Sequence, residues 1–387
     1  MISLFAKLII KDHKNYKDPK VRGAYGILCG SFGVFFNTLL FVIKLLAGYM
    51  SGSVAIIADA VNNLSDIGSS LISIVGFKMA GKKPDPEHPF GHGRFEYVAG
   101  LIISFIIILM GADLLKTSVL RILVPQDLSF EPAAFIILII SVIIKLYMYL
   151  YNRMTAVKLS SAAISSAALD SFVDSVATTA VLLSMMVAEY LDLNVDGIVG
   201  ALVSLFIIYT GVRSAKDTID PLLGSKPDKE FTDKIAEFVT SYKDVYGVHD
   251  MLVHDYGPGR MMISLHAEVP SDGNIVELHD TIDNIERKLK EVLGCETVIH
   301  MDPIVMNEET NEMKRQVENA VKEIDNSFSI HDFRMVWGTT HRNLIFDVLT
   351  PFECKLSDDE IRKKVSEKIM ALPGNNYCVI NVDKPMV

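Results

Sequence analysis

The feature that most constrains this chain is a series of six apolar segments of bilayer length that stops abruptly near residue 216. They fall near 24–50, 54–80, 97–122, 131–152, 162–190 and 194–215. A hydrocarbon core about 30 Å thick needs about 20 apolar residues in helical form, so each segment is long enough to cross once. Backbone groups find no water there, which leaves the helix as the conformation such segments adopt. The expected fold of residues 23–216 is therefore an all-α six-helix transmembrane bundle. A basic arm over residues 1–22 precedes it, carrying Lys7, Lys11, Lys14, Lys17, Lys20 and Arg22. The arm is longer than the basic region of a signal peptide and has no small-residue cleavage site.

Loop charges orient the spans. Lys78, Lys82, Lys83 and Arg94 lie between spans two and three, Arg153 and Lys158 between four and five, and Arg213 and Lys216 after six. The positive-inside rule places these loops and both termini in the cytoplasm. Residues 217–387 are soluble in character, with 19 Lys+Arg against 32 Asp+Glu, a net of −13. The whole chain carries −10. An acidic soluble half argues against nucleic acid and suits a module that handles cations. Cys29, Cys295, Cys354 and Cys378 form no CxxC pair, so reduced structural thiols are expected.

Span two reads ADAVNNLSDIG over residues 58–68, and span five holds AALDSFVD. Ionisable residues at membrane depth are costly and are usually functional. At 100° per residue, Asp59, Asn62 and Asp66 share one helical face, as do Asp170 and Asp174. If the two helices pack together, Asn62, Asp66, Asp170 and Asp174 form a four-oxygen site. Its three carboxylates require cations, either a divalent metal or protons. Hydrogen bonding across a helix interface would explain a single Asn, but it accounts poorly for two spaced pairs.

The chain resembles the cation diffusion facilitators, a family of proton-coupled divalent-metal exporters. The resemblance maps the family's membrane ligands onto Asn62, Asp66, Asp170 and Asp174, with Asp59 as a further family position. After span two, DPEHPFGHGRFE matches the family's loop metal site at Asp85, His88 and His92. Zinc members put His in the membrane site, and imidazole suits Zn²⁺. Here every donor is a hard oxygen, which suits Mn²⁺ and resembles the family's bacterial manganese exporters. The resemblance thus implies Mn²⁺ efflux across a bacterial inner membrane with protons as counter-ion. It also implies a homodimer in the lipid bilayer and no enzymatic activity. Alternatives are Fe²⁺ or Zn²⁺/Cd²⁺ export, or a membrane-anchored metal sensor that does not transport.

The soluble half reads as an α+β unit of αββαβ order. Its helices fall near 229–243 and 276–293, and its strands near 248–255, 260–269 and 296–301. This resembles the family's metallochaperone-like (ferredoxin-like) dimerisation domain, here residues 217–304. Its metal-binding positions correspond to His249, His266, His279, His300 and Asp302. Residues 305–387 depart from the usual family length and read as a second copy in tandem. His249 and His331 are 82 apart, Pro270 and Pro351 are 81 apart, and Pro303 and Pro385 are 82 apart, with helices near 309–324 and 357–371. In that copy the ligand positions become His331, Asp347, Asp358, Asn381 and Asp383. The expectation is a structural cap, with preference for a harder ion as the alternative.

Overall fold

The fold comes from a computed structural model that describes residues 2–16, 18–51, 54–124, 132–191, 193, 195–305, 307–338 and 340–385. The chain divides into two compact units. One holds residues 1–225 together with 255–260, and the other holds 226–254 and 261–387.

The first unit is helical. A short α1 (Ile2–Ile9) precedes six long helices: α2 (Pro19–Ser51), α3 (Val54–Ala80), α4 (Phe95–Leu123), α5 (Pro132–Leu159), α6 (Ala162–Leu191) and α7 (Asp196–Leu223). Among the described residues, five of the six are long and apolar enough to cross a membrane. The exception is α3, whose hydropathy is lowered by the Asn and Asp residues of span two. The closest pairings are α2 with α3, α4 with α7 and α5 with α6, and α6 also packs on α4 and α3.

Small residues set the α2–α3 approach. Gly26, Gly30 and Gly33 face the Phe77, Ile74 and Ser70 side chains so closely that a methyl group on any of them would clash. Such residues let helix backbones come together where lipid supplies no hydrophobic drive. The buried stripe of α3 runs Asn63, Asp66, Ser69, Ser73 and Phe77, the three- and four-residue spacing of one helical face. One core gathers Tyr25, Cys29, Phe77, Met148 and Ile164. Another gathers Ile103, Ile107, Val173 and Ile207.

The second unit contains two runs of αββαβ order. The first is α8 (Lys229–Thr240), β1 (Gly247–Asp255), β2 (Met261–Pro270), α9 (Ile275–Leu293) and β3 (Glu296–Ile304). The second is α10 (Glu308–Lys322), β4 (Ser329–Trp337), β5 (Arg342–Leu349), α11 (Asp358–Met370) and β6 (Asn376–Asp383). Each run forms a three-stranded sheet with its second strand central. The central strand pairs in parallel with the third, β2 with β3 and β5 with β6.

Side-chain alternation along a strand splits the two faces. Leu265, Ala267 and Val269 in β2, and Leu344, Phe346 and Val348 in β5, are buried. Leu265 and Ala267 pack in a core with Ile235, Ile282 and Ile285, and Leu344, Phe346 and Val348 in a separate one with Val317, Ile361 and Val365. The alternate positions fall on the opposite sheet face, where the chemistry lies. Local signals place the helices as expected: Asn274 caps α9, and Ser357 with Glu360 forms a capping box on α11, satisfying otherwise orphaned first-turn donors. All four cysteines are free thiols.

Candidate metal centres

The deepest centre lies among α3, α5 and α6. Asp66, Asp170 and Asp174 each present a carboxylate oxygen, all within 4.8 Å of one another. Asp66 and Asp170 are almost fully buried. The i, i+4 spacing on α6 and the packing of α6 against α3 bring the three together. The Lys145 Nζ on α5 lies 2.7 Å from Asp66 Oδ2 and 2.6 Å from Asp174 Oδ2. Asp66 Oδ1 and Asp170 Oδ1 are buried without a hydrogen-bond partner in the protein.

Lys145 was not among the expected site residues. The signal that flagged the aspartates, an ionisable residue inside an apolar run, was equally present in SVIIKLYMYL. Lys44 on α2 is also buried, and its charge acts on Asp66. Asn62 lies elsewhere: it is exposed, while its neighbour Asn63 occupies the buried stripe. Asn62 is outside the carboxylate cluster, and the side chain of Asp59 lies outside the described residues. A polar pocket adjoins Asp170, lined by Asn37, Ser69 and Asn152 among others. The Oδ1 atoms of both asparagines and the Ser69 hydroxyl are buried there without a protein partner.

The second centre is the loop between α3 and α4. Asp85 lies 3.4 Å from His88 Nδ1 through one oxygen and 3.4 Å from His92 Nε2 through the other. The two imidazole rings are 4.6 Å apart. Donors about 2.1 Å from one ion and 90–110° apart stand about 3.0–3.5 Å from each other, so this spacing fits a shared cation. The His88 backbone N–H donates to Asp85 Oδ1 over 2.7 Å and holds the Asp85 carboxyl below its usual range, helped by the two imidazoles. His92 is buried and His88 is exposed.

The third centre lies on the open face of the first sheet. His249 Nε2 and His266 Nδ1 stand 3.1 Å and 2.8 Å from Asp302 Oδ2. His300 Nε2 is 3.3 Å from the other oxygen of Asp302. The β2–β3 register puts His266 opposite His300 and Glu268 opposite Asp302, which explains their common face. The structure does not bring His279 into this group. It is exposed on α9, with Asp283 3.5 Å away.

The second sheet carries a similar arrangement. His331, Asp347 and Asp383 offer donor atoms within 4.8 Å of one another, and so do His249, Asp250 and His331. Burial and the facing Asp383 carboxylate push Asp347 above the usual carboxylate range, with His331 acting in the opposite direction.

Comparison with known proteins places the chain among related sequences. Residues 32–223 match the cation efflux transmembrane domain, and residues 227–304 match the cytoplasmic domain of cation efflux proteins. An uncharacterized transporter of Methanocaldococcus jannaschii, MJ0449, is 31% identical over 267 residues, covering 69% of this chain and 94% of that protein. The cation-efflux pump FieF of Escherichia coli K12 is 28% identical over 267 residues, covering 69% of this chain and 89% of its own. The FieF of Escherichia fergusonii is 28% identical over 268 residues. The two domain matches end at residue 304, short of the second αββαβ run. With an apolar helical domain and a cytoplasmic-type α/β domain in the same order, the chain belongs to the cation diffusion facilitator family of membrane cation transporters.

Proposed function

We propose that this protein exports a divalent metal cation from the cytoplasm in exchange for protons, with Mn²⁺ as its principal cargo. One observation carries the reading: three carboxylates and the Lys145 ammonium converge where α3, α5 and α6 meet. The three carboxylates outnumber Lys145 and the nearby Lys44, so the cluster stays net negative and attracts a cation. An all-oxygen donor set favours Mn²⁺ over metals that seek imidazole or thiolate. Fe²⁺ shares that preference and is the closest competitor.

In this reading α3 completes a six-helix bundle with five more apolar neighbours. Asp66, Asp170 and Asp174 are the principal ligands. Asn62, one turn from Asp66, supplies a further oxygen as the bundle rearranges, and Asp59 lies another turn away. The polar pocket along Asn37, Ser69 and Asn152 forms part of the route to Asp170. The metal enters from the cytoplasm, the helices rock, and protons take its place on the carboxylates after release. Close carboxylates titrate as a coupled set, which suits such an exchange.

Asp85, His88 and His92 hold a metal on the loop. His249, His266, His300 and Asp302 hold one on the first cytoplasmic module, through which two protomers associate, and His279 flanks it. Both termini face the cytoplasm of a bacterial cell. The second αββαβ run is a tandem copy of the first. Its support is the matching sheet order and an unusual backbone feature: Asp250 and Asp332, each following the aligned His, have φ of 48° and 49°. Positive φ is uncommon outside glycine.

The test is metal uptake by reconstituted vesicles under a proton gradient, comparing Mn²⁺, Fe²⁺, Zn²⁺ and Cd²⁺. Mn²⁺ flux that depends on the gradient and vanishes in Asp170→Ala is expected. Zn²⁺ flux without Mn²⁺ would overturn the selectivity. Absence of all flux in folded protein would favour a sensor.

A further inference from the structure

We propose that the second αββαβ run holds a divalent cation of its own, on His331, Asp347 and Asp383. The three residues come from three strands. His331 pairs with Asp347 across β4–β5, and Leu349 pairs with Asp383 across β5–β6. Asp347 and Asp383 are thus two positions apart in register, on the sheet face away from the helices. His266 and Asp302 have the same relationship in the first sheet, where Glu268 pairs with Asp302. The strand positions that carry metal donors in one sheet therefore carry them in the other.

Two further observations point to a bound ion. Both ring nitrogens of His331 are buried without a hydrogen-bond partner, as is Nδ1 of His249 beside it. The His249 side chain is only 10% exposed, and its ring centre is 5.4 Å from that of His331. His331 Nε2 stands 3.8 Å from Asp383 Oδ2, and Nδ1 stands 3.7 Å from Asp250 Oδ1. These separations exceed a hydrogen bond and lie a few tenths of an ångström above the spacing of two donors on one ion. The charge balance agrees. Two carboxylates face each other at a partly buried position, and among the described residues no Lys or Arg pairs with either. The neighbouring Lys384 instead donates to Thr350 Oγ1 and the Pro351 carbonyl, and Arg334 pairs with Asp332.

The donor chemistry defines the ion. The first sheet offers two imidazoles and a carboxylate in its closest trio, a set that favours Zn²⁺. The second offers one imidazole and two carboxylates, a harder set that shifts preference toward Mn²⁺ and Fe²⁺. Three protein donors leave further positions to water. The second nitrogen of His331 faces Asp250 beside the first site, so the two cations would be bound side by side within one chain.

The experiment is Mn²⁺ binding to the purified full-length protein by equilibrium dialysis, with electron spin echo detection of nitrogen coupling to the bound Mn²⁺. Asp347→Asn and Asp383→Asn are each expected to reduce the Mn²⁺ bound per chain by one ion. His331→Gln should abolish one nitrogen coupling. The same loss is expected in an Asp170→Ala background, which separates this site from the transport site and from any failure of the transport reading. Asp347→Asn keeps the side-chain shape and removes a like-charge contact. Its metal-free melting temperature should therefore hold or rise, while the increase produced by Mn²⁺ shrinks. Unchanged stoichiometry and nitrogen coupling in these variants, or an undiminished Mn²⁺-induced rise in melting temperature, would overturn the proposal.

Discussion

Replacing Lys145 with methionine offers a direct probe of the membrane centre. The ammonium sits 2.7 Å and 2.6 Å from two carboxylates, and all three side chains are largely buried. At an effective dielectric constant near 20, each pair has a gross attraction of about 6 kcal/mol, most of it offset by the cost of removing the charges from water. The net consequence of deleting one partner is nevertheless large. Two buried carboxylates lose their counter-charge, and breaking such a buried pair costs about 3–5 kcal/mol. Methionine keeps the length of the chain and adds little packing strain, so the loss is electrostatic.

A divalent cation supplies the missing charge. The metal-free Lys145→Met protein should therefore unfold at a lower temperature than the parent, and saturating Mn²⁺ should recover most of the difference. If about 3 kcal/mol of the penalty is relieved on binding, the mutant binds Mn²⁺ about a hundredfold more tightly than the parent. The assay is thermal unfolding in detergent across a Mn²⁺ titration, with Asp66→Asn/Lys145→Met as the compensated control. Equal metal-induced stabilisation in mutant and parent would refute the reasoning, because the Lys145 charge would then not oppose cation binding at these carboxylates. So would a Lys145→Met protein as stable as the parent without metal.

Two other expectations follow from the local geometry. At the loop centre, His92→Ala should weaken the protein more than His88→Ala, because His92 is buried while His88 is exposed; both should lower cation affinity, and thermal unfolding with and without Zn²⁺ separates the two effects. At Asp332, whose φ is 49°, substitution by glycine should leave stability within about 1 kcal/mol of the parent, whereas valine should cost about 1–3 kcal/mol, as measured by denaturant unfolding. A valine variant as stable as the glycine variant would show that the left-handed backbone does not limit this position.

The two units differ in how much of them could be read beforehand. Hydropathy located the long helices because their lengths answer to bilayer thickness. Alternation and capping located the αββαβ elements, and α9 and β3 lie within a few residues of their expected bounds. The loop triad was equally legible, because Asp85, His88 and His92 are close in sequence and a single turn brings them together.

What the sequence determined by itself was therefore local. It established which segments are helices of membrane length, which carboxylates share a helical face, and that two stretches of the soluble half follow one pattern. Tertiary packing decided the rest. The rotation of α3 buries Asn63 and leaves Asn62 exposed, although both lie within 60° of Asp66 on a helical wheel. Lys145 enters the carboxylate cluster from another helix, 79 residues from Asp66. His331 meets Asp250 across two sheets, while His279 points away from the residues it was expected to join. Periodicity specifies direction only within one element. Convergence between elements depends on how their buried faces pack, and no spacing along the chain encodes that alone.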